Sequence, residues 1–389
     1  MQNREGGHRE AMQLFSPDIN GVFVSRPNRF LVRIDTEYGE ILAHCPNPGR
    51  MQEILLPGCP VIVERNDSPG RKTKYALAAA LHQGKTIPLN ATRANRVARD
   101  LVLSHLFSEQ ITVRAEYSIG GSRFDFLVEG PKGTELIEVK CCTLCESGIA
   151  MFPDAPTDRG RRHVEELVRI ASSPGEVSGG HLLFLVFHGD AKTFTPNIHT
   201  DPLFSQSLQE SIDRISVRAV SLSCTNEGFV KLVNPMLPMR LDWVEMAREN
   251  RGIYLLVLRY DGERILEVAG LGRVNFETGY YVYVGKAKRG LRERIGRHLR
   301  KRKKNHWHID YLSRVAKKID PYPIYTRGDL ECKLAKDIAV SASTSIPGFG
   351  SSDCNCKSHL FYFASDPMAE PAFVFTLFRY RHVLCFNER

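Results

Sequence analysis

Asp125, Glu138 and Lys140 are residues whose types and spacing could do chemistry together. SRFDFLV (122–128) and ELIEVKC (135–141) read as strands because β-branched and aromatic residues recur in them, and EGPKGT (129–134) between them is turn-forming. Antiparallel pairing about a centre midway between residues 131 and 132 sets position 125 opposite position 138. Opposed residues hold their Cβ atoms about 4.5–5.5 Å apart, and like charges so placed repel unless a cation or a proton intervenes. Glu138 and Lys140 share one strand face, while Val139 points the other way into a core. Such a site suits Mg²⁺ or Mn²⁺ held by Asp125 and Glu138. Lys140 would orient a bound water, or help it lose its proton, for in-line attack on a phosphodiester. The D-x(n)-E-x-K pattern alone describes an exposed polar hairpin edge equally well.

FPDAPTDRGRRHVEEL (152–167) follows a short loop and reads as a helix opening near Asp154 or Thr157. Val164, Leu167, Val168 and Ala171 form its buried stripe, and Arg159, His163 and Glu166 share another face. That face could look into the Asp125/Glu138 site, with Arg159 taking a phosphate bidentately. The alternative is a solvated helix face.

The basic residues are concentrated late in the chain. Residues 248–389 carry 26 Lys and Arg against 15 Asp and Glu, and Lys286–Lys304 holds eleven basic residues and one acid, Glu293. That density favours a polyanion partner. Leu291, Ile295 and Leu299 give this helix a packing seam and leave Arg292, Arg294, Arg297, Lys301 and Lys304 to meet phosphates, so binding should fall with salt. Cys354, Cys356 and His359 lie in a Gly/Ser-rich loop, where Cys332, His306 or His308 could complete a tetrahedral zinc site. The spacing is not that of a standard finger, and buried thiols beside a hydrogen-bonded imidazole are the preferred reading. Trp307 either stacks on a base or fills core.

At 389 residues and 42% hydrophobic content, the chain suits a globular protein of roughly two to four domains. No run of about eighteen apolar residues and no secretory signal occurs, so a cytoplasmic protein without membrane contact is expected, its ten cysteines reduced and mostly buried. Residues 1–20 read as a flexible tail. Short strands at 29–35, 39–44, 60–65, 74–80 and 86–90 suit a small barrel over 21–92, with Arg50, Arg71, Lys72 and Lys74 available to phosphate. A helix near 91–107, the hairpin, the helix at 157–171, a strand at 181–187, a helix at 202–214 and a strand at 216–222 give an α/β order over 93–235. NPMLPMRLDW marks a linker, 236–247, before the basic domain at 248–389. No Walker-type phosphate loop or dinucleotide fingerprint appears.

NRFLVRI, HCPNPGRM, GSRFDF, IEVKCCTL and FPDAPTDRGRRHVEEL, in that order, resemble the SfsA (sugar fermentation stimulation protein) family over about residues 20–235. The resemblance implies a multidomain α/β chain: an OB-like β-barrel, then a PD-(D/E)xK restriction-endonuclease-like domain with Asp125, Glu138 and Lys140 on the motif positions. It also implies DNA binding linked to regulation of sugar, particularly maltose, metabolism, with nuclease activity inferred from the fold. GIYLLVLRY, GYYVYVGKA, HWHIDYL and FGSSDCNCKSHL resemble a small branch of the GIY-YIG nuclease superfamily over about 250–363, an α+β domain. That second resemblance puts Tyr254 and Tyr283 beside an attacking water, Arg294 on phosphate and Glu331 on a divalent ion, with His298 one turn beyond Arg294 on the same helical face as a further nucleic-acid contact. About 28 residues separate the two tyrosines, including an extra strand near 264–268, and the superfamily's late Asn has no clear counterpart. The expected function is that of a divalent-metal-dependent nuclease, a hydrolase of DNA more than RNA. The alternatives are a non-catalytic DNA-binding regulator and, more weakly, a scaffold held by zinc; oligomeric state is left open.

Overall fold

Alternating burial sets the first sheet. In Leu31–Thr36, Val32 and Ile34 turn inward while Arg33 and Asp35 face water. The strands Ile19–Asn28, Leu31–Thr36, Gly39–His44, Pro60–Arg65 and Tyr75–His82 pair around a core that includes Val61, Val63 and Leu77, and His44 meets Ala76 to close a five-stranded barrel. The computed structural model describes residues 9–66, 73–107 and 110–387. Arg71 and Lys72, candidate phosphate contacts, lie outside the described residues, whereas Arg50 and Lys74 are exposed. The chain divides into two compact units, Met1–Val244 and Glu245–Arg389.

The rest of the first unit is a seven-stranded sheet in the order Met12–Gln13, Phe229–Asn234, Ser216–Cys224, Gly179–Val186, Gly133–Cys142, Ser122–Gly130 and Thr112–Ile119. The three central strands are parallel. Both faces are covered, so these strands are apolar throughout: Leu182 to Val186 are all buried. A helical run over 94–106, with a π-helical turn at Ala98–Val102, packs Val97 and Leu101 on one face. Asp158–Ala171 and Pro202–Ser211 cover the other.

The N-terminal segment departs from its reading as a tail. Met12–Gln13 pairs with Phe229–Asn234, and Met12, Leu14 and Phe15 are buried. Burying such side chains contributes about 1.5–3 kcal/mol each, enough to hold a short edge strand. Residues 1–8 lie outside the described residues.

In the second unit, Lys318–Tyr325, Gly252–Tyr260, Gly279–Ala287, Leu360–Phe363 and Thr344–Ser345 form an antiparallel sheet in that order. Arg264–Val268 and Gly272–Phe276 form a separate hairpin, the inserted element read near 264–268. The helices Leu291–Leu299, His308–Val315, Glu331–Ser341 and Pro371–Arg379 are amphipathic. Leu299 is 39% exposed, and the buried residue at the end of the basic helix is His298, so the seam runs through Leu291, Ile295 and His298. Among the described residues, no helix is long and apolar enough to cross a membrane.

Candidate functional site

The hairpin has the register inferred from its turn: Leu136 pairs with Leu127 and Ile137 with Phe126. One more step would pair Glu138 with Asp125, but the ladder stops there. Asp125 instead accepts the Val139 N–H on Oδ2 at 2.7 Å. On its other side Ala115 pairs with Phe126 and Tyr117 with Phe124, while Glu116 between them takes a left-handed φ of +57°. Asp125 therefore sits where backbone pairing lapses on both sides. Its Oδ1 accepts Asn95 Nδ2 at 2.7 Å. Asn95 had no mark in the sequence beyond its place in a helical segment.

Glu138 is 4% exposed. Its Oε1 takes His163 Nδ1 at 2.9 Å and the Lys140 ammonium, while Oε2 is buried without a hydrogen-bond partner. Burial pushes the Glu138 carboxyl up, but the His163 bond and the Lys140 charge outweigh it and hold the group below its ordinary value. Asp125 moves the other way, raised first by burial and then by the charge of Glu138. The two carboxylates are thus driven apart in acidity within a cleft of about 230 Å³ that Lys140, Arg159 and His163 also line.

The helix Asp158–Ala171 supplies the far wall. Thr157 is its N-cap, accepting Gly160 N–H on Oγ1 at 2.9 Å, and Asp201, which caps the next helix, accepts Thr157 N–H at 2.8 Å. The buried stripe is Val164, Leu167 and Ile170, with Val168 and Ala171 only half-buried. Arg159 donates from Nε to His163 Nε2 at 3.5 Å, which leaves His163 Nδ1–H to donate to Glu138. Glu166 does not join them: it pairs with Arg169 at 2.7 Å. Below this wall the barrel loop reaches the same segment, Met51 N–H donating to Asp154 Oδ2 at 3.1 Å, and a Cβ on Gly49 would overlap that carboxylate. Arg26 fixes the loop through the carbonyls of Gly49 at 2.6 Å and Asn47 at 2.8 Å.

In the second unit Tyr254 and Tyr283 lie on adjacent strands with ring centroids 6.2 Å apart. Both are buried, and burial holds both phenols well above their ordinary value. Tyr254 Oη bonds His298 Nε2 at 3.0 Å, and His298 Nδ1 faces Asp310 Oδ1 at 3.3 Å. This corrects three readings of nucleic-acid contacts, those of His298, Arg297 and Lys301. His298 is buried in that chain, and Arg297 is clamped on the buried Asp310 at 2.9 and 3.0 Å, so neither is free for phosphate. The Lys301 ammonium likewise donates to the Ser313 and Ala316 carbonyls. Arg292 and Lys304 stay exposed. Arg294 donates to the Lys286 carbonyl at 2.7 Å, and its guanidinium lies 4.9 Å from the Trp307 ring that Arg297 also covers at 4.5 Å. Trp307 is therefore neither core nor a free stacking platform. Glu331 is buried and paired with Lys286 at 2.8 Å.

All ten cysteines are free, four buried and six half-buried. Cys332, Cys354, Cys356 and His359 bring one donor atom each within 4.8 Å of one another. The other candidates for a fourth ligand are engaged elsewhere: His308 Nδ1 accepts Gly350 N–H at 3.1 Å, and the His306 ring packs 4.5 Å from Trp307.

Comparison with known proteins divides the chain similarly. The "SfsA N-terminal OB domain" model matches residues 24–89, the "Sugar fermentation stimulation protein RE domain" model residues 92–228, and a "Domain of unknown function DUF123" model residues 253–379. A sugar fermentation stimulation protein homolog of Methanothermobacter thermautotrophicus is 40% identical over 237 residues, 60% of this chain and 97% of that protein. Its counterpart in Clostridium tetani is 37% identical over 215 residues, 54% of this chain and 92% of that protein. The solved structure of Pyrococcus furiosus SfsA in complex with Ca²⁺ is 27% identical, with a TM-score of 0.53, covering 59% of this chain and 99% of that one. Fold and sequence agree that the chain, an OB barrel and an α/β domain followed by a GIY-YIG-like DUF123 domain, belongs to the sugar fermentation stimulation protein family.

Proposed function

We propose that the first unit is a Mg²⁺- or Mn²⁺-dependent nuclease centre of PD-(D/E)xK type acting on DNA, built on Asp125, Glu138 and Lys140. The observation that carries this reading is the buried, partnerless Oε2 of Glu138, which shares its cleft with an Asp125 carboxyl raised by burial and then by the charge of Glu138. Two hard oxygen donors so placed fit a divalent cation, which when bound polarises a phosphate oxygen and acidifies a water. The Pyrococcus furiosus relative, described as a Ca²⁺ complex, supports the same reading. The chain's own residues do the rest. His163 and Lys140 hold Glu138 ionised and aimed, Asn95 and Val139 N–H fix Asp125, and exposed Arg159 offers a planar fork to a phosphate across the cleft. Ten free cysteines suit a cytoplasmic setting.

The second unit supports a different role. Its exposed Arg292 and Lys304 suit a grip on nucleic acid, and the burial of both tyrosines argues against their activating a water, so we read this unit as binding rather than cutting. A DNA-binding regulator of sugar metabolism is the second reading of the whole chain.

Purified protein and an Asp125→Ala/Glu138→Ala variant, incubated with single- and double-stranded DNA and RNA plus Mg²⁺, Mn²⁺ or chelator, test this. Cleavage by the native chain should stop in chelator and drop on the order of 10²-fold or more in the variant, the scale for losing a charge-stabilising group. Equal product from both proteins removes the proposal; chelator-insensitive band shifts with no cleavage leave the regulator.

A further inference from the structure

Three thiols and one imidazole converge in the second unit from two separate parts of the chain. Cys332 is the second residue of the helix Glu331–Ser341, whereas Cys354, Cys356 and His359 come from the loop leading into the strand Leu360–Phe363. We infer that Cys332, Cys354, Cys356 and His359 form a structural zinc site, a closed Cys₃His set that staples this loop to the helix. The four donor atoms lie close enough together for one ion, and one edge has the length a tetrahedral site requires. Zn–S of about 2.3 Å and Zn–N of about 2.0–2.1 Å give a tetrahedral S···N edge of about 3.5 Å. Cys354 Sγ lies 3.4 Å from His359 Nε2, and all four donor atoms lie within 4.8 Å of one another.

The surroundings suit a metal better than a chance cluster of thiols. His359 is fully buried, with Nε2 toward the sulfurs and Nδ1 on the side of Glu331, whose Oε1 lies 3.6 Å away, beyond hydrogen-bond length but near enough for a small shift to make the carboxylate–histidine contact that orients metal-bound imidazoles. The loop has little regular structure of its own, turning through Gly348 and Gly350 at φ of +71° and +69°. None of the three thiols is in a disulfide, and binding Zn²⁺ would release their three protons. The staple also bears on the tyrosine pocket. Gly350 has no room for a Cβ because the Tyr283 ring lies against it, and its N–H donates to His308. Holding this loop therefore holds one wall around Tyr283.

The full chain, purified under reducing conditions from zinc-supplemented medium, should contain one equivalent of zinc by elemental analysis. A thiol-modifying mercurial should release it stoichiometrically to a chromophoric indicator. Exchange with Co²⁺ should give thiolate-to-cobalt charge-transfer bands and the d–d bands of a tetrahedral ion. A Cys354→Ser/Cys356→Ser variant should lose both signals, and Cys224→Ser, outside the cluster, should keep both. Metal-free native protein with no cobalt bands overturns the assignment, as does iron in place of zinc. The measurements on native protein stand even where the double variant fails to fold.

Discussion

A single carboxylate organises the second unit. Asp310 is completely buried and meets Arg297, Lys303, His298 and the N–H groups of His306 and Trp307. Burial alone would raise its carboxyl, but bonds from His298, the two backbone N–H groups and Arg297 hold it far below the ordinary carboxylate range. A folded-state pKa depressed in this way gives stability that is present above the unfolded value, near pH 4, and lost as pH falls toward the folded one. Acid unfolding of this unit, followed by circular dichroism, should therefore become less steep below pH 4 in Asp310→Asn. The same substitution should cost about 3–5 kcal/mol at neutral pH in denaturant titrations, because it leaves buried cations uncompensated. Little of this was legible beforehand. The density of Arg and Lys over 286–304 was plain, but the acid that claims Arg297 and Lys303 follows in the next helix, and only the fold brings it underneath. That Asp125 and Glu138 line one cleft was legible by counting, since turn length set the register of the neighbouring pairs, but the lapse of the ladder at Asp125 was not. What counting could not supply was Asn95, which arrives from a helix thirty residues away.

The elements that carry the first site are held at their ends. Thr157 caps the helix bearing Arg159 and His163, and a Cβ at Gly160 would come 2.6 Å from the capping Oγ1. In an open helix Gly→Ala gains about 1 kcal/mol. Here Gly160→Ala should instead lower stability, by about 0.5–1 kcal/mol, since the cap must break to admit the methyl group. Thr157→Ala should cost about 1 kcal/mol by the same loss, and a rise in midpoint for either variant would show that the cap contributes nothing. The four-residue spacing of Arg159 and His163 was readable as one helix face, whereas the displacement of Glu166 was not, because Arg169 competes for it one turn later. In the zinc cluster, Cys354, Cys356 and His359 could be picked out by spacing, but their fourth member could not: Cys332, His306 and His308 were equally open until the sheet placed the helix Glu331–Ser341 beside the loop.

At the scale of the molecule, charge is divided between the two units. The excess of cations belongs to residues 248–389, and after the internal clamps are discounted the outward set includes Arg292 and Lys304. If these meet phosphate, Arg292→Ala and Lys304→Ala should each weaken DNA binding about equally across sequences and reduce the slope of log K against log salt by about 1, measured by fluorescence anisotropy. Arg297→Ala should act differently, lowering the thermal stability of the second unit more than it changes that slope.

The contact between Met51 and Asp154 bears on how the protein can be dissected. Asp154 is carried by the α/β domain, yet the backbone that satisfies its carboxylate belongs to the barrel. A fragment begun at residue 93 would be left with an acidic group built for shelter and no shelter to give it. The barrel thus contributes to the stability of the α/β domain, and a 93–235 fragment should unfold at lower denaturant concentration than 9–244, by the roughly 1–3 kcal/mol of a lost hydrogen bond to a charged group.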